Sequence, residues 1–411
     1  MKLLVALSAL VLTTALAVTA PAGAEDDLTL DAVTGRAAEP AAERAAPSVR
    51  VTGNGYGHGH GLSQYGAQGA AGQGLSHREI LGFYYPGLTW GRAGGNVSVL
   101  LTADTSTDVV VVDRGGLRYR SLGNGRTVRL TKPRAARLWR ITPSAGGRTS
   151  TLAWKGQRGR WTKVRTTPGE AQFTAGGEPI TLVTPSGRRA YRGVLRSAGA
   201  TATTVQRDTV NVVPLDSYLK GVVPREVPAS WRAAALRSQA VAARTYAAFD
   251  RRDGTARHYQ ICDTTSCQVY GGFTDEHPAT NRAIDATRGQ VLLTADGLPA
   301  FTQFSASNGG YLAAGSQPYL VAKRDPYDTA YRGWTATISA DLARRVAAAN
   351  PDDPTDIGTF RSMTVLGRDG GGAYGGRVTS IRITGTAGST VLTGENFRYL
   401  AALRSTLFTL G

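Results

Sequence analysis

Apolar and polar positions alternate in short runs between residues 94 and 213, as in Val97, Val99 and Leu101, in Val109 to Val112, in Tyr119 between Arg118 and Arg120, and in Ile180 to Val183. A period of two sends successive side chains to opposite faces, so this stretch predicts a β-rich region punctuated by Gly-Gly and Asn-Gly turns. The period changes near residue 230. Leu236, Gln239, Ala240, Ala243 and Tyr246 recur at steps of three and four, which predicts a helix from Ser230 to Phe249 with these residues on one face and Arg237, Arg244 and Arg251 on another. A glutamine on an inward stripe needs hydrogen-bond partners, so Gln239 is either a structural tie or a substrate contact. Nearer the start, a strand at Val51 runs into a glycine-dense turn from Gly53 to Gly61. Ser76 and Glu79 then form a capping box for a helix through Tyr84, which Pro86-Gly87 stops. Towards the end, Leu342 to Ala349 predicts a short exposed helix, Gly370 to Gly376 a mobile loop and Val378 to Thr384 a strand, with Leu407 and Phe408 tied into the fold. The pattern is mixed α+β.

What precedes this pattern is of another kind. Met1-Lys2, an apolar run from Leu3 to Val18, and small residues up to Ala24 before Glu25-Asp26-Asp27 predict a secretory signal peptide over 1–24. The run is shorter than the roughly 20 residues that span a bilayer, so no stable membrane span is expected after cleavage. Residues 25–48 are Ala, Pro and charge without an apolar period, and predict a disordered linker. The remaining chain divides into a segment 49–91, a β-rich region 92–200 and a core 201–411. At 411 residues and 41% hydrophobic content there is material for two or three domains.

The formal charge of +17 favours acidic partners, which for an exported protein are wall polymers. From Lys132 to Arg165, basic residues (Arg134, Arg137, Arg140, Lys155, Arg158, Arg160, Lys163) interleave with Trp139, Trp154 and Trp161. No nucleic-acid motif accompanies them, so a solvated β-rich face is the expectation and nucleic acid is not an expected partner. The two cysteines, Cys262 and Cys267, permit a local disulfide in an oxidising compartment, a metal clip, or free thiols.

Several catalytic signatures are excluded. His-Glu-x-x-His and Gly-x-Ser-x-Gly are absent, and the glycine run fails Gly-x-Gly-x-x-Gly because His58 and Leu62 stand where glycines are required. What remains is Glu226 between Pro224 and Pro228, read as a strand-to-helix junction. The prolines restrict its backbone. Nearness to the next helix N-terminus would lower its pKa, and burial against Val222, Val223 and Val227 would raise it; a general acid needs burial to win. By spacing alone the residue reads more readily as a cap or an ion-pair partner than as a catalytic group.

The run Val212 to Pro228 (Val-Val-Pro-Leu-Asp-Ser-Tyr-Leu-Lys-Gly-Val-Val-Pro-Arg-Glu-Val-Pro) with Ser238 to Ala247 closely resembles the central motif of the SpoIID/LytB family, and Gly53 to Gly87 is a separate match. The resemblance implies a SpoIID-type catalytic core with a β-rich accessory region, Glu226 as catalytic residue, and either lytic transglycosylase activity on peptidoglycan glycan strands or enhancement of a cell-wall amidase. The family usually has Met after this glutamate, where this chain has Val227. Lytic cleavage suits a single carboxylate, since the muramyl 6-hydroxyl attacks its own anomeric carbon and leaves a 1,6-anhydromuramyl end; a hydrolytic glycosidase ordinarily needs two. No cofactor is required for that chemistry. The resemblance further implies cleft roles for Gln239, Arg244, Tyr246, Asp263, Thr265, Gln268, Tyr270, Ser307 and Asn308. Some relatives bind zinc through a His and two Cys, for which His258, Cys262 and Cys267 are the counterparts here. His58, with His60 in the Gly-His-Gly-His-Gly run, reads as a proton-handling or a packing residue, and His58, Ser63, Gln64 and Tyr65 are expected as substrate contacts.

In the family the segment resembling Gly53 to Gly87 follows the region resembling Val378 to Phe408, whereas here it precedes it. A circular permutation is therefore expected, with Val49 to Gly61 packing beside Leu407 to Leu410 and Ser63, Gln64 and Tyr65 returned to the side of Glu226.

Overall fold

In the computed structural model, residues 47–131, 136–253 and 257–411 are described. The expected signal peptide, nearly all of the expected linker, and Lys132 and Arg134 of the basic stretch lie outside these residues. The alternating stretch builds two sheets, antiparallel except where Ile261–Cys262 adds a parallel edge strand to the second. One has six strands in the order Thr162–Pro168, Thr149–Lys155, Leu138–Pro143, Val109–Val112, Ile180–Thr184, Gly187–Tyr191. The other has seven strands, and its centre runs Asn96–Leu100, Asp208–Pro214, Val194–Ala198, Ala171–Thr174, Arg118–Ser121. Alternation does the work: in Arg118–Ser121 both arginines are exposed while Tyr119 and Ser121 are buried.

The helices among the described residues are α1 (Gln64–Gly72), α2 (His77–Tyr84), α3 (Leu215–Glu226), α4 (Ala233–Asp253), α5 (Pro278–Ala286), α6 (Ala340–Ala348) and α7 (Gly394–Leu400). Val99, Val111, Tyr119, Ile141, Phe173 and Leu195 of the sheets share one core with Tyr218, Leu219, Val222 and Val223 of α3 and Leu236, Ala240 and Ala243 of α4. The opposite side of α4, through Ala235, Val241 and Ala242, packs with Leu62, Ile80, Leu81 and Tyr84 of the segment that precedes the sheets. Helix α4 is buried on both sides, which its run of small residues permits. The capping box at Ser76 and Glu79 opens α2 as the spacing predicts.

Four expectations change. The boundary near residue 200 falls between paired strands: Asp208–Pro214 lies between Val194–Ala198 and Asn96–Leu100 in a single sheet, so the β-rich region and the core are not separate bodies. Glu226 does not sit at a strand-to-helix junction; it closes α3, whose Leu215, Tyr218, Leu219, Val222 and Val223 already follow helical spacing up to Pro224. Val227 is extended, as a residue before proline is driven to be. Helix α6 buries Ala343, Val346 and Ala347, so only its outer face is exposed. The glycine loop after residue 369 is tied by Asp369 Oδ1, which accepts from the amides of Gly371 and Arg377.

The strand Ser48–Gly53 lies between Trp334–Ser339 and Phe408–Leu410, antiparallel to both. Val51 faces Leu410, Thr52 faces Thr409 and Gly53 faces Phe408. Gly53 cannot carry a side chain, because a Cβ there would lie 2.2 Å from the Trp334 ring. A further core joins Val51 to Trp334, Ile381, Leu392, Phe397 and Phe408.

Candidate functional site

Helix α3 carries Glu226 to its C-terminal end, where unpaired carbonyls disfavour a carboxylate, and not to the N-terminus of α4. Burial raises its pKa above the usual 4.5; the Val269 backbone amide, Gln64 and Arg225 oppose this without reversing it. Gln64 Nε2 approaches Glu226 Oε2 at 3.5 Å. Gln64 is the first residue of α1, and Ser63 caps that helix by accepting from the Gly66 amide at 3.0 Å.

Glu226 and Gln64 line a cavity of about 340 Å³ with His58 and Tyr246. One wall is Thr265, Ser266, Cys267 and Val269; the other is the segment from Gln303 to Ala306. Among the described residues lining it, Glu226 is the one carboxylate. Tyr246 stands against Phe301, and burial with Asp250 nearby raises its hydroxyl to about 12. His58 Nδ1 accepts from the His60 amide at 3.0 Å, so Nε2 carries the proton and donates to the Phe304 carbonyl at 3.1 Å. Burial, His60 and Arg377 push its pKa down to about 3. Both ring nitrogens are thus engaged by the backbone.

Several expected contacts support the cavity from behind. Arg244 is 0% exposed; its guanidinium pairs with Asp216 at 2.8 Å and donates to the carbonyls of Ala240, Ile284 and Gln290. Gln268 is buried between Tyr218, whose hydroxyl donates to Oε1, and the Ala243 carbonyl, and so ties α3 to α4. Tyr270 is buried and donates to Asn211 at 2.8 Å. Asp263 accepts from the amide and hydroxyl of Thr102. Ser63 and Ser307 both donate to Asp328 at 2.8 Å, and Asn308 donates to Asp328 through its amide and to Asp325 through its side chain. None of these lines the cavity. Tyr65 lies beside it, with its ring against Trp231. Gln239 is 1% exposed and neither side-chain atom finds a partner among the described residues; the geometry shows neither the tie nor the cavity contact, and nothing else in the structure explains it.

Cys262 and Cys267 are joined in a disulfide with Cα atoms 5.5 Å apart. His258, the third residue of the expected zinc set, binds Asp208 at 2.6 Å. Both thiols are consumed and the histidine is engaged, so this donor set does not fit zinc, and among the described residues no cluster of three His, Cys, Asp or Glu does.

Sequence reasoning missed Asp325 and Asp328, which hold segment 49–91 to the loop at 304–310, and also missed Gln303 to Ala306. The signal for the latter lay next to Ser307-Asn308-Gly309-Gly310, in the apolar-polar pair Phe304-Ser305 that pairs in parallel with Leu62-Ser63.

Residues 203–293 match the family model described as Stage II sporulation protein, SpoIID. The chain is similar to the amidase enhancer of Bacillus subtilis strain 168, 44% identical over 127 residues that cover 29% of this chain and 17% of that protein. An uncharacterized protein of Brachyspira hyodysenteriae is 34% identical over 114 residues, 28% of this chain and 31% of its own. Stage II sporulation protein D of Bacillus amyloliquefaciens is 25% identical over 189 residues, 40% and 50% respectively. The chain thus spans half or less of each of these relatives. Strand Asp208–Pro214, the glutamate at the end of α3, helix α4 and the disulfide loop all fall within the matched residues, and it is in this region that the chain is similar to the SpoIID family.

Proposed function

We propose that this chain is an exported, wall-associated lytic transglycosylase acting on peptidoglycan glycan strands, with Glu226 as both acid and base. The observation that carries this reading is the environment of Glu226: a carboxyl with raised pKa, facing a polar cavity beside the amide of Gln64. Protonated Glu226 gives its proton to the glycosidic oxygen as the bond from C1 of muramic acid breaks. The muramyl 6-hydroxyl attacks C1 and returns a proton to the carboxylate, so no water is consumed and the enzyme regains its starting form. Gln64, Tyr246 and Thr265 contact the sugars, while Ser63, Arg244, Gln268, Tyr270, Ser307 and Asn308 hold the walls in register. The scheme needs no metal or other cofactor.

The name of the 44% identical relative favours a second reading, in which the chain binds the wall and enhances an amidase without cutting glycan. Mass spectrometry of denuded glycan strands separates the two. Wild-type protein should release 1,6-anhydromuramyl ends and Glu226→Gln should release none while still binding, because an amide cannot give and retrieve the proton. Equal turnover by the variant removes Glu226 from the mechanism. No anhydro ends from either protein, with stimulation of an amidase by both, establishes the second reading.

A further inference from the structure

Beside the cavity runs a row of rings that neither reading uses. Tyr56 meets Tyr331 edge to face at 5.3 Å, Tyr331 meets Tyr65 at 5.2 Å, and Tyr65 meets Trp231 at 5.0 Å. The Trp231 end adjoins the site, since its amide bonds the carbonyl of Pro228, two residues past Glu226. Tyr65 follows Gln64, and its amide takes the carbonyl of Ala306 in the cavity wall. At the far end Tyr56 pairs its backbone with Ser307 and leaves 46% of its surface exposed.

The middle ring is held at a cost. Tyr331 has φ +49°, a left-handed conformation that is unfavourable for a bulky residue. The loop leaves it no alternative: Asp328 accepts from the amide of Ala330 and, through its carbonyl, from Arg332, while the Tyr331 carbonyl accepts from Gly55 and Asn54 holds the amide of Gly333. Arg404, exposed, stands over both Tyr331 and Tyr56 at 5.3 and 5.9 Å. Strain fixed by a hydrogen-bonded loop, in a half-buried ring that continues a row from the cavity to exposed Tyr56, marks a surface shaped for a ligand. Tyrosine and tryptophan offer an apolar face with a polar tip, which suits a sugar ring with its C–H face and rim of hydroxyls.

We propose that Trp231, Tyr65, Tyr331 and Tyr56 form an extended subsite that carries successive sugar rings of a glycan strand away from the Glu226 cavity. The choice of occupant rests on the glycan-strand reading above; the geometry of the row does not. The test uses the full chain bearing Glu226→Gln, so that strands stay intact, and measures affinity for denuded glycan strands and for the muramic-acid-containing disaccharide. Tyr56→Ala and Tyr331→Gly should weaken long-strand binding about tenfold, roughly 1.4 kcal/mol, and leave disaccharide binding unchanged. Tyr331→Phe should retain it. Glycine suits the backbone at 331, and a retained melting transition shows that the variants fold. Unchanged long-strand affinity in both variants overturns the proposal, as does an equal loss for the disaccharide, or binding that responds to Tyr56 only on anionic phospholipid vesicles. With Glu226 restored, length-dependent binding without anhydro ends would sink the catalytic reading and leave the row standing; anhydro ends from Tyr56→Ala with unaltered long-strand affinity would do the reverse.

Discussion

The carboxyl of Glu226 is pulled two ways, and the balance has a consequence for stability. Desolvation and the C-terminal end of α3 favour the protonated form; the Val269 amide, Gln64 and Arg225 favour the charged one, and burial prevails. A carboxyl whose folded pKa lies above its unfolded value stabilises the fold fully below the unfolded value and loses that contribution as pH rises through the folded one. Glu226→Gln, which cannot ionise, should therefore melt at a higher temperature than wild type at about pH 8, with the gap closing by about pH 4. A constant gap across that range would show that ionisation is not what the cavity resists. His58 acts in the opposite sense, since its depressed pKa withholds a proton that the unfolded chain accepts, so it withdraws stability as pH falls from 6.5 towards 3. The variant comparison isolates Glu226 because His58 is common to both proteins.

Among the elements, α4 and the disulfide loop decide whether the cavity keeps its shape. Arg244 joins α4 to Asp216 in α3, to the Ile284 carbonyl of α5 and to the Gln290 carbonyl beyond it, so Arg244→Met strands a partly buried carboxylate and, with the Ala240 carbonyl, three acceptors. A loss of about 3 kcal/mol is expected by denaturant unfolding. A variant of unchanged stability that binds glycan poorly would restore Arg244 to the cleft. The bonded cysteines brace the wall that bears Thr265, Ser266 and Val269. Unreduced protein should have a mass lower by two hydrogens than reduced protein, and Cys262→Ser should cost about 2 kcal/mol by the loop-closure account. Stoichiometric, chelator-sensitive zinc in place of that mass difference would overturn the pairing. These elements also show what could be read in advance. The period of α4 and the capping box of α2 were plain because each rests on neighbours in sequence. Helix α3 was hidden by Val222-Val223-Pro224, a β-branched pair before a proline. The buried roles of Arg244, Gln268 and Asn308 were illegible because their partners, Asp216, Ala243 and Asp325, are fixed by tertiary packing and carry no signal of their own.

At the scale of the molecule the first described strand is seated on the last. Strand Ser48–Gly53 pairs with Phe408–Leu410, and the Gly411 amide donates to the Arg50 carbonyl at 2.8 Å. Asn54 donates its amide to Leu407, and Ser405 hydrogen-bonds the Asn54 carbonyl. This is the neighbourhood that the permuted order of motifs required, and it is what returns Gln64 to Glu226 across 162 positions. An ordering of segments is legible in sequence where motifs are long; which residues then meet is not, since Asp328 has no motif of its own. The seating makes a direct test available. Residue 411 can be joined to residue 48 through a short glycine-rich linker, and the chain opened between Gly94 and Gly95, both exposed in the turn between Thr89–Arg92 and Asn96–Leu100. The permutant then carries the β-rich region first and the Gly-His-Gly segment last, the order expected of the family. Since the opening severs no strand pair, the permutant should show the circular dichroism of the parent, unfold in one cooperative transition within a few degrees of it, and bind glycan strands with the same affinity. A permutant that is soluble and β-rich yet has lost glycan binding would mean that the register between Val51 and Leu410 does not by itself return Gln64 to Glu226, and the permuted relationship would then explain the order of the motifs without explaining how the cavity is assembled.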